Sequence, residues 1–156
     1  MENGPRPSTR AFLCDLSELA TGSKVRFLGC VRQYNFNEGH LVLEHHYPRN
    51  KPQPSSVTVD VNAVLENMNA EQLRVGAWLN IMGYIRDANT SSSFTSSQMD
   101  SQSESSQSSP GAMSAGVTPR PVCVEAVMVF SAGAIAVGDY ERILRQAQEV
   151  EQRINQ

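Results

Sequence analysis

Residues 75–87 read Val75-Gly76-Ala77-Trp78-Leu79-Asn80-Ile81-Met82-Gly83-Tyr84-Ile85-Arg86-Asp87. Apolar residues fall on one side of this stretch: Ala77, Leu79, Ile81 and Ile85. The other side is aromatic, amide, sulfur-containing or basic: Trp78, Asn80, Met82, Tyr84 and Arg86. A period of two with β-branched and aromatic residues predicts a strand, and Gly83 inside it predicts a bend or bulge. One face of such a strand packs against a core, and the other face stays available for contacts.

The composition outside this stretch describes one small domain. The chain has 156 residues, enough for one hydrophobic core. No run approaches the roughly 18 apolar residues of a membrane span, and the polar start is unlike a signal peptide, so we expect no membrane association. Three widely spaced cysteines, an odd number, fit neither a disulfide framework nor a zinc site and indicate a reducing, intracellular environment: Cys14, Cys30 and Cys123.

Alternating patterns predict four further strands in addition to the one over 75–87. Their bounds are Lys24–Tyr34, His40–Tyr47, Ser56–Val61 and Arg120–Phe130. Helical spacing predicts a helix over Asn62–Leu73, capped by Asn62, and a second over 138–154. Residues 1–10 carry Gly4, Pro5 and Pro7 and are expected to be flexible, and residues 11–156 to form a single domain.

Residues 88–119 interrupt the pattern. They include twelve serines in 32 residues and neither lysine nor arginine. A segment with so few large apolar side chains cannot offset the entropy of ordering, which predicts a disordered insertion between the fourth and fifth strands. It holds three Ser-Gln pairs, at Ser97, Ser101 and Ser106, of the kind that checkpoint kinases favour. Phosphorylation there and chance in a serine-rich tract both remain open.

No catalytic motif is found in the sequence. It lacks a glycine-rich phosphate loop, a nucleophile elbow and a His-Glu-x-x-His helix. His45 and His46 are adjacent, so on a strand their rings point to opposite faces and cannot chelate one ion. We therefore expect a protein without enzymatic activity, metal or cofactor.

The charge is concentrated in one region. The net charge of the chain is −3, yet residues 24–54 carry five cations against Glu38 and Glu44, a local charge of +3. The three histidines lie in the same region. If the chain binds an anion, the contact is therefore expected in this region.

The final helix carries an apolar stripe that needs a surface to cover it. Its residues are Tyr140, Ile143, Leu144, Ala147, Val150 and Ile154. The stripe can pack on the helix's own barrel or against a helix of a partner, and its length favours the partner. Together with Met128 of the last strand, these residues form the predicted partner-binding set.

Five strands with a helix between the third and fourth follow the order of the OB-fold, a five-stranded Greek-key barrel. Within that fold the chain resembles the small Ten subunits of the CST telomere-capping complex. The resemblance rests on Gly22–Val31, on Gly76–Gly83 and on the Glu/Gln/Arg-rich final helix, and covers about 11–87 and 120–156.

The resemblance implies partners and a location. A Ten subunit pairs with a larger Stn-type OB-fold subunit and works with a Cdc/CTC-type large subunit. The complex binds single-stranded telomeric DNA in the nucleus, caps the chromosome end and supports fill-in by polymerase α-primase.

An OB barrel binds single strands on its second and third strands, with rings inside a basic groove. The candidate DNA-binding residues are Arg26, Arg32, Tyr34, His45, Tyr47, Arg49 and Lys51. Few rings are present, so weak binding by the isolated chain is expected. Two alternatives stay open: a free-standing single-strand-binding OB protein, and an OB adaptor that contacts protein only.

Overall fold

A computed structural model describes residues 7–88 and 122–156. The six strands within these ranges are β1 (Thr9–Arg10), β2 (Lys24–Asn35), β3 (His40–His45), β4 (Ser55–Asp60), β5 (Trp78–Asp87) and β6 (Val122–Ser131). Two short 3₁₀ helices span Leu13–Glu18 and Leu65–Asn67, and helix α1 spans Val137–Ile154. Residues 1–6, the Ser-Gln pairs and the predicted insertion apart from Ala88 lie outside the described residues.

Strand β2 is long enough to pair with three other strands. Its residues 24–30 lie antiparallel to β5, its residues 30–35 antiparallel to β3, and β1 joins residues 25–26 in parallel. Strand β4 follows β3, β6 pairs with both β4 and β5, and the sheet returns to β2. The result is a closed barrel of β2 to β6 with a C-terminal helix, which confirms the predicted OB-fold.

The alternation over 75–87 is confirmed. Leu79, Ile81 and Ile85 are fully buried inside the barrel. The predicted irregularity at Gly83 is also present, because the register between β5 and β6 shifts there: Met82 faces Met128 while Gly83 faces Ala126. The extra residue, Val127, lies on β6. Other inward residues complete the core: Val25, Phe27, Val31, Leu41, Leu43, Val57, Val59 and Val124.

The predicted helix over Asn62–Leu73 is wrong in extent, because only the three-residue 3₁₀ turn Leu65–Asn67 forms. Asn62 does not cap a helix; its amide nitrogen donates to Glu38 O and to Asp60 Oδ1, both at 2.8 Å. Asn69 and Gln72 then close a turn by bonding each other's backbone N–H. Polar side chains compete here with helical hydrogen bonds. The apolar residues still pack on the core: Val64, Leu65, Met68 and Leu73.

Candidate functional site

Helix α1 packs on the outer surface of its own barrel. Leu144 and Glu141 are buried, with 5% and 4% of their surface exposed. Tyr140 is half-buried beside Leu28, a fully buried residue on the outer face of β2. Burial raises the pKa of Tyr140 above its usual 10.0, although Arg10, Arg26 and a hydrogen bond with the Leu28 backbone oppose the increase. One side of the helix therefore packs against the barrel.

A polar contact fixes the helix to the end of β3. The buried His45 Nε2 lies 2.9 Å from Glu141 Oε1. Arg49, in the following loop, donates from Nη1 to Glu141 Oε2 at 3.0 Å. His45 Nδ1 is buried and has no hydrogen-bond partner within the described part of the chain. A buried carboxylate with two partners holds α1 at one position along the barrel.

Aromatic rings surround this polar contact. The Trp78 ring meets the His45 ring edge-on, with centroids 5.6 Å apart. Phe12 stacks on Tyr47 at 4.1 Å, and Tyr140 lies 6.4 Å from His45. The aromatic side chains near the end of β3 and the start of β5 therefore form the surface against which the helix packs.

The adjacent side of α1 is apolar and exposed. Ile143, Val150 and Ile154 are 57%, 53% and 76% exposed, and Ala147 between them is exposed as well. Their spacing of four, three and four residues places them in one line on the helix. A cleft of about 700 Å³ borders the first two of these residues, Ile143 and Ala147, and is lined on its other side by residues 8–10. We call these four residues the outer stripe.

The structure therefore divides the predicted partner-binding set. Leu144 contacts its own barrel, which differs from the expectation that it faces a partner. Tyr140 lies between the two sides and also borders the cleft. Met128 is exposed on β6, where it lines a separate cleft with Val64 and Met68.

The predicted DNA-binding residues are also divided. Two of them, His45 and Arg49, hold the helix through Glu141. Tyr47 stacks on Phe12, whose ring in turn meets that of Tyr140 of the helix edge-on. His45 is out of reach of a nucleic-acid strand in this conformation.

The other four lie elsewhere on the barrel surface. Arg26 donates to Asn80 Oδ1 at 3.0 Å, and Arg32 pairs with Glu44 at 3.1 Å. Tyr34 is half-buried against the core, while Lys51 is exposed. These four residues therefore differ in exposure and in their partners.

Sequence reasoning missed Glu141 and Phe12. Glu141 falls on the polar side of the predicted stripe, yet it precedes Leu144 by three residues and so shares the buried side of the helix. That spacing is the one sequence signal that pointed to it. No sequence signal pointed to Phe12, because the rings that it contacts lie far along the chain.

The cysteines and the acidic residues that the structure describes are the remaining groups with reactive or metal-binding side chains. Burial first, and then the neighbouring Asp15, raise the pKa of the Cys14 thiol to about 11, which keeps it protonated near neutral pH. Residues 7–88 and 122–156 contain no cluster of three or more side chains suited to a metal ion. Helix α1 and the two 3₁₀ helices are too short or too polar to cross a bilayer.

Residues 1–145 match the profile of the Ten1 family, described as "Telomere capping, CST complex subunit". The chain belongs to the Ten1 family. The predicted resemblance is thereby confirmed. No curated protein matches the sequence.

Two solved structures share the fold of this Ten1-family chain. One is a chain of the S. pombe Stn1–Ten1 complex, with a TM-score of 0.60, 22% identity, and coverage of 94% of this chain and 96% of that chain. The other is S. pombe Ten1, with a TM-score of 0.58, 22% identity, and coverage of 92% and 99%. At this identity the likeness establishes the barrel architecture.

Proposed function

We propose that the chain is the small, non-catalytic subunit of a telomere-capping complex and pairs with a larger Stn-type OB-fold subunit through the outer stripe of α1. The observation that carries this proposal is the stripe itself. Three large aliphatic side chains lie exposed in one line on a helix whose other side is already held. Family membership and the S. pombe Stn1–Ten1 complex support the choice of partner.

The anchoring of α1 favours tight pairing. An isolated helix of 18 residues is only marginally stable in water. Here Leu144 and Glu141 hold the helix before any partner arrives. Because the helix is already ordered, association loses less conformational entropy. The partner surface that fits is a second amphipathic helix whose apolar side chains pack around Ala147.

The test is a pull-down and affinity measurement with the Stn-type subunit. Val150→Glu places a charge in the stripe and is expected to weaken pairing by about 2 kcal/mol or more, roughly 30-fold. The melting temperature of the isolated chain should change little, because Val150 is half exposed. Gln152→Glu is the matched control, with the same added charge at an exposed position on the opposite side of the helix.

Equal affinity of Val150→Glu and wild type would overturn the proposed interface. Loss of pairing in both variants would point instead to a general effect of charge on the helix.

We propose that the assembled complex caps telomeres in the nucleus and includes a Cdc/CTC-type large subunit. We propose polymerase α-primase as its partner in fill-in of the complementary strand.

We also propose a modest contact between this subunit and single-stranded telomeric DNA. Arg32 and Lys51 support it, because both side chains reach solvent on the first half of the barrel. Arg49 contributes less, because its partner Glu141 is buried, whereas Glu44, the partner of Arg32, is partly exposed.

Salt dependence tests the DNA contact. Replacing Arg32 and Lys51 by Ala should flatten the slope of log K against log salt by up to about 1.4, at roughly 0.7 for each lost single-strand phosphate contact. The control replaces Arg74 and Arg145, two exposed cations elsewhere, and should leave the slope unchanged. An unchanged slope in the first variant would favour an adaptor that contacts protein only, and tight binding by the isolated chain would favour a free-standing DNA-binding protein.

A further inference from the structure

The surface on which OB barrels usually bind single strands carries no cation in this chain. That surface is the outer face of the second and third barrel strands, here β3 and β4. Its outward positions alternate with the buried ones and are His40, Val42, Glu44, Ser56, Thr58 and Asp60. They include two carboxylates and neither lysine nor arginine. This face therefore does not attract a phosphate backbone by itself.

The outer face of β2, β5 and β6 has the opposite charge. The register places Lys24 directly opposite Tyr84, and Tyr84 opposite Glu125 on its other side. Side chains that are directly opposite in an antiparallel pair point to the same face. Arg26 and Arg86 lie two residues from Lys24 and Tyr84 along the same strands, and so share this face. Three cations therefore share it with one carboxylate, in a chain whose net charge is −3.

Two of the three cations are held in place on the sheet. Arg26 Nε donates to Asn80 Oδ1 at 3.0 Å, and Arg86 Nε donates to Glu125 Oε2 at 3.2 Å. The Arg86 guanidinium also lies 5.6 Å from the centre of the Tyr84 ring. Both bonds come from Nε, so within residues 7–88 and 122–156 the Nη atoms of the two guanidinium groups have no hydrogen-bond partner. These donors are free to bind phosphate oxygens.

Aromatic rings lie on the same face. Phe130, opposite Asn80 on β6, is 43% exposed, and Tyr84 is partly exposed beside Arg86. Bases stack on aromatic rings and on arginine guanidinium planes. Rings beside cations are the combination by which proteins hold single strands. We call this set of side chains the β5 face: Lys24, Arg26, Tyr84, Arg86, Glu125 and Phe130.

We propose that single-stranded DNA crosses the β5 face, with its phosphates at Lys24, Arg26 and the Nη atoms of Arg86 and with one base stacked against Tyr84. This inference rests on the proposed contact with telomeric DNA and assigns the main surface for it. The site differs from the usual OB surface on β3 and β4. The cations also attract an acidic protein segment, but the rings beside them favour a ligand that carries bases.

The test titrates the full-length ¹⁵N-labelled chain with an oligothymidylate of about 15 nucleotides and follows the amide shifts by NMR. The largest shifts are expected at Lys24, Tyr84 and Arg86. Two further probes carry a similar charge without bases: an abasic strand and an oligoglutamate of the same length. Each should bind about fivefold more weakly or worse, because neither can stack on Tyr84.

Variants with matched controls separate the two kinds of contact. Lys24→Gln should flatten the slope of log K against log salt by about 0.7, whereas Arg74→Gln, at an exposed cation elsewhere, should leave it unchanged. Tyr84→Leu should weaken oligothymidylate binding about fivefold or more. Phe36→Leu removes a ring that is 76% exposed in the turn between β2 and β3 and should not weaken it.

The proposal is overturned if the shifts fall on residues 40–54 and not on the β5 face, or if Tyr84→Leu binds as tightly as wild type. Equal binding of the oligoglutamate would assign the face to an acidic protein segment and overturn it too. These results would leave the proposed DNA contact of Arg32 and Lys51 in place. No affinity for single-stranded DNA, in the chain or in its complex, would remove both.

Discussion

The two sides of helix α1 differ more than their sequences suggest. Leu144 on one side is 5% exposed, and Ile143, the preceding residue, is 57% exposed. Both belong to one apolar stripe in the sequence. The first is buried, whereas the second is left to solvent. Different parts of a wide apolar stripe on a terminal helix can therefore pack against two different surfaces.

The barrel-facing side combines packing with a polar contact. Leu144 fills the apolar part, while His45 and Arg49 take the two oxygens of Glu141. The outer stripe has only exposed aliphatic side chains. The comparison predicts that substitutions on the first side lower the stability of the isolated chain, and that substitutions on the second side act on association.

The largest effect is expected for Leu144→Ala. Truncating a buried leucine removes packed atoms and leaves a cavity, so the free energy of unfolding should fall by about 2–4 kcal/mol. Urea unfolding of the isolated chain measures it. A loss no larger than that of Ile143→Ala would show that the helix is not packed on its own barrel in solution.

Glu141→Ala comes next. It leaves His45 Nε2 buried without its partner, beside an Nδ1 that already lacks one, and should lower the free energy of unfolding by about 1–3 kcal/mol. Arg49→Ala is the comparison variant and should cost less than about 1 kcal/mol, because 67% of the Arg49 side chain is exposed. Equal losses in the two variants would argue against the importance of the buried contact.

Tyr140, at the boundary between the two sides, predicts a pH dependence. Its pKa is raised above 10.0 in the folded chain by burial. Below about pH 10 both states keep the proton; above it the unfolded state releases its proton first, so stability falls as pH rises toward the folded pKa. The free energy of unfolding should therefore fall more between about pH 9 and about pH 10.5 in wild type than in Tyr140→Phe. The same fall in both would contradict the burial of this hydroxyl.

The smallest effect on stability is expected for Ile143→Ala. The side chain is mostly exposed, so the free energy of unfolding should change by less than about 0.5 kcal/mol. Affinity for the Stn-type subunit should nevertheless fall by about tenfold, or 1.4 kcal/mol. Destabilisation comparable to that of Leu144→Ala would remove the distinction between the two sides.

The sequence alone determined the barrel. Alternation is a local property of a strand, and the inward positions of β5, including Leu79, Ile81 and Ile85, followed from it directly. The bulge at Gly83 and the bounds of α1 within one residue of 138–154 were predicted in the same way. Helical spacing over 62–73 failed, because Asn62, Asn69 and Gln72 made local side-chain bonds that the apolar pattern does not register.

Only the tertiary structure decided what each surface does. His45 was a candidate for binding DNA until its contact with Glu141, 96 residues away, placed it under the helix. The same contact fixes the rotation of α1 and so separates Leu144 from Ile143. A periodic pattern states that a helix has an apolar side, but the surface that covers each part of that side is formed by residues distant in the chain. Those contacts depend on the closure of the barrel, which no local pattern contains.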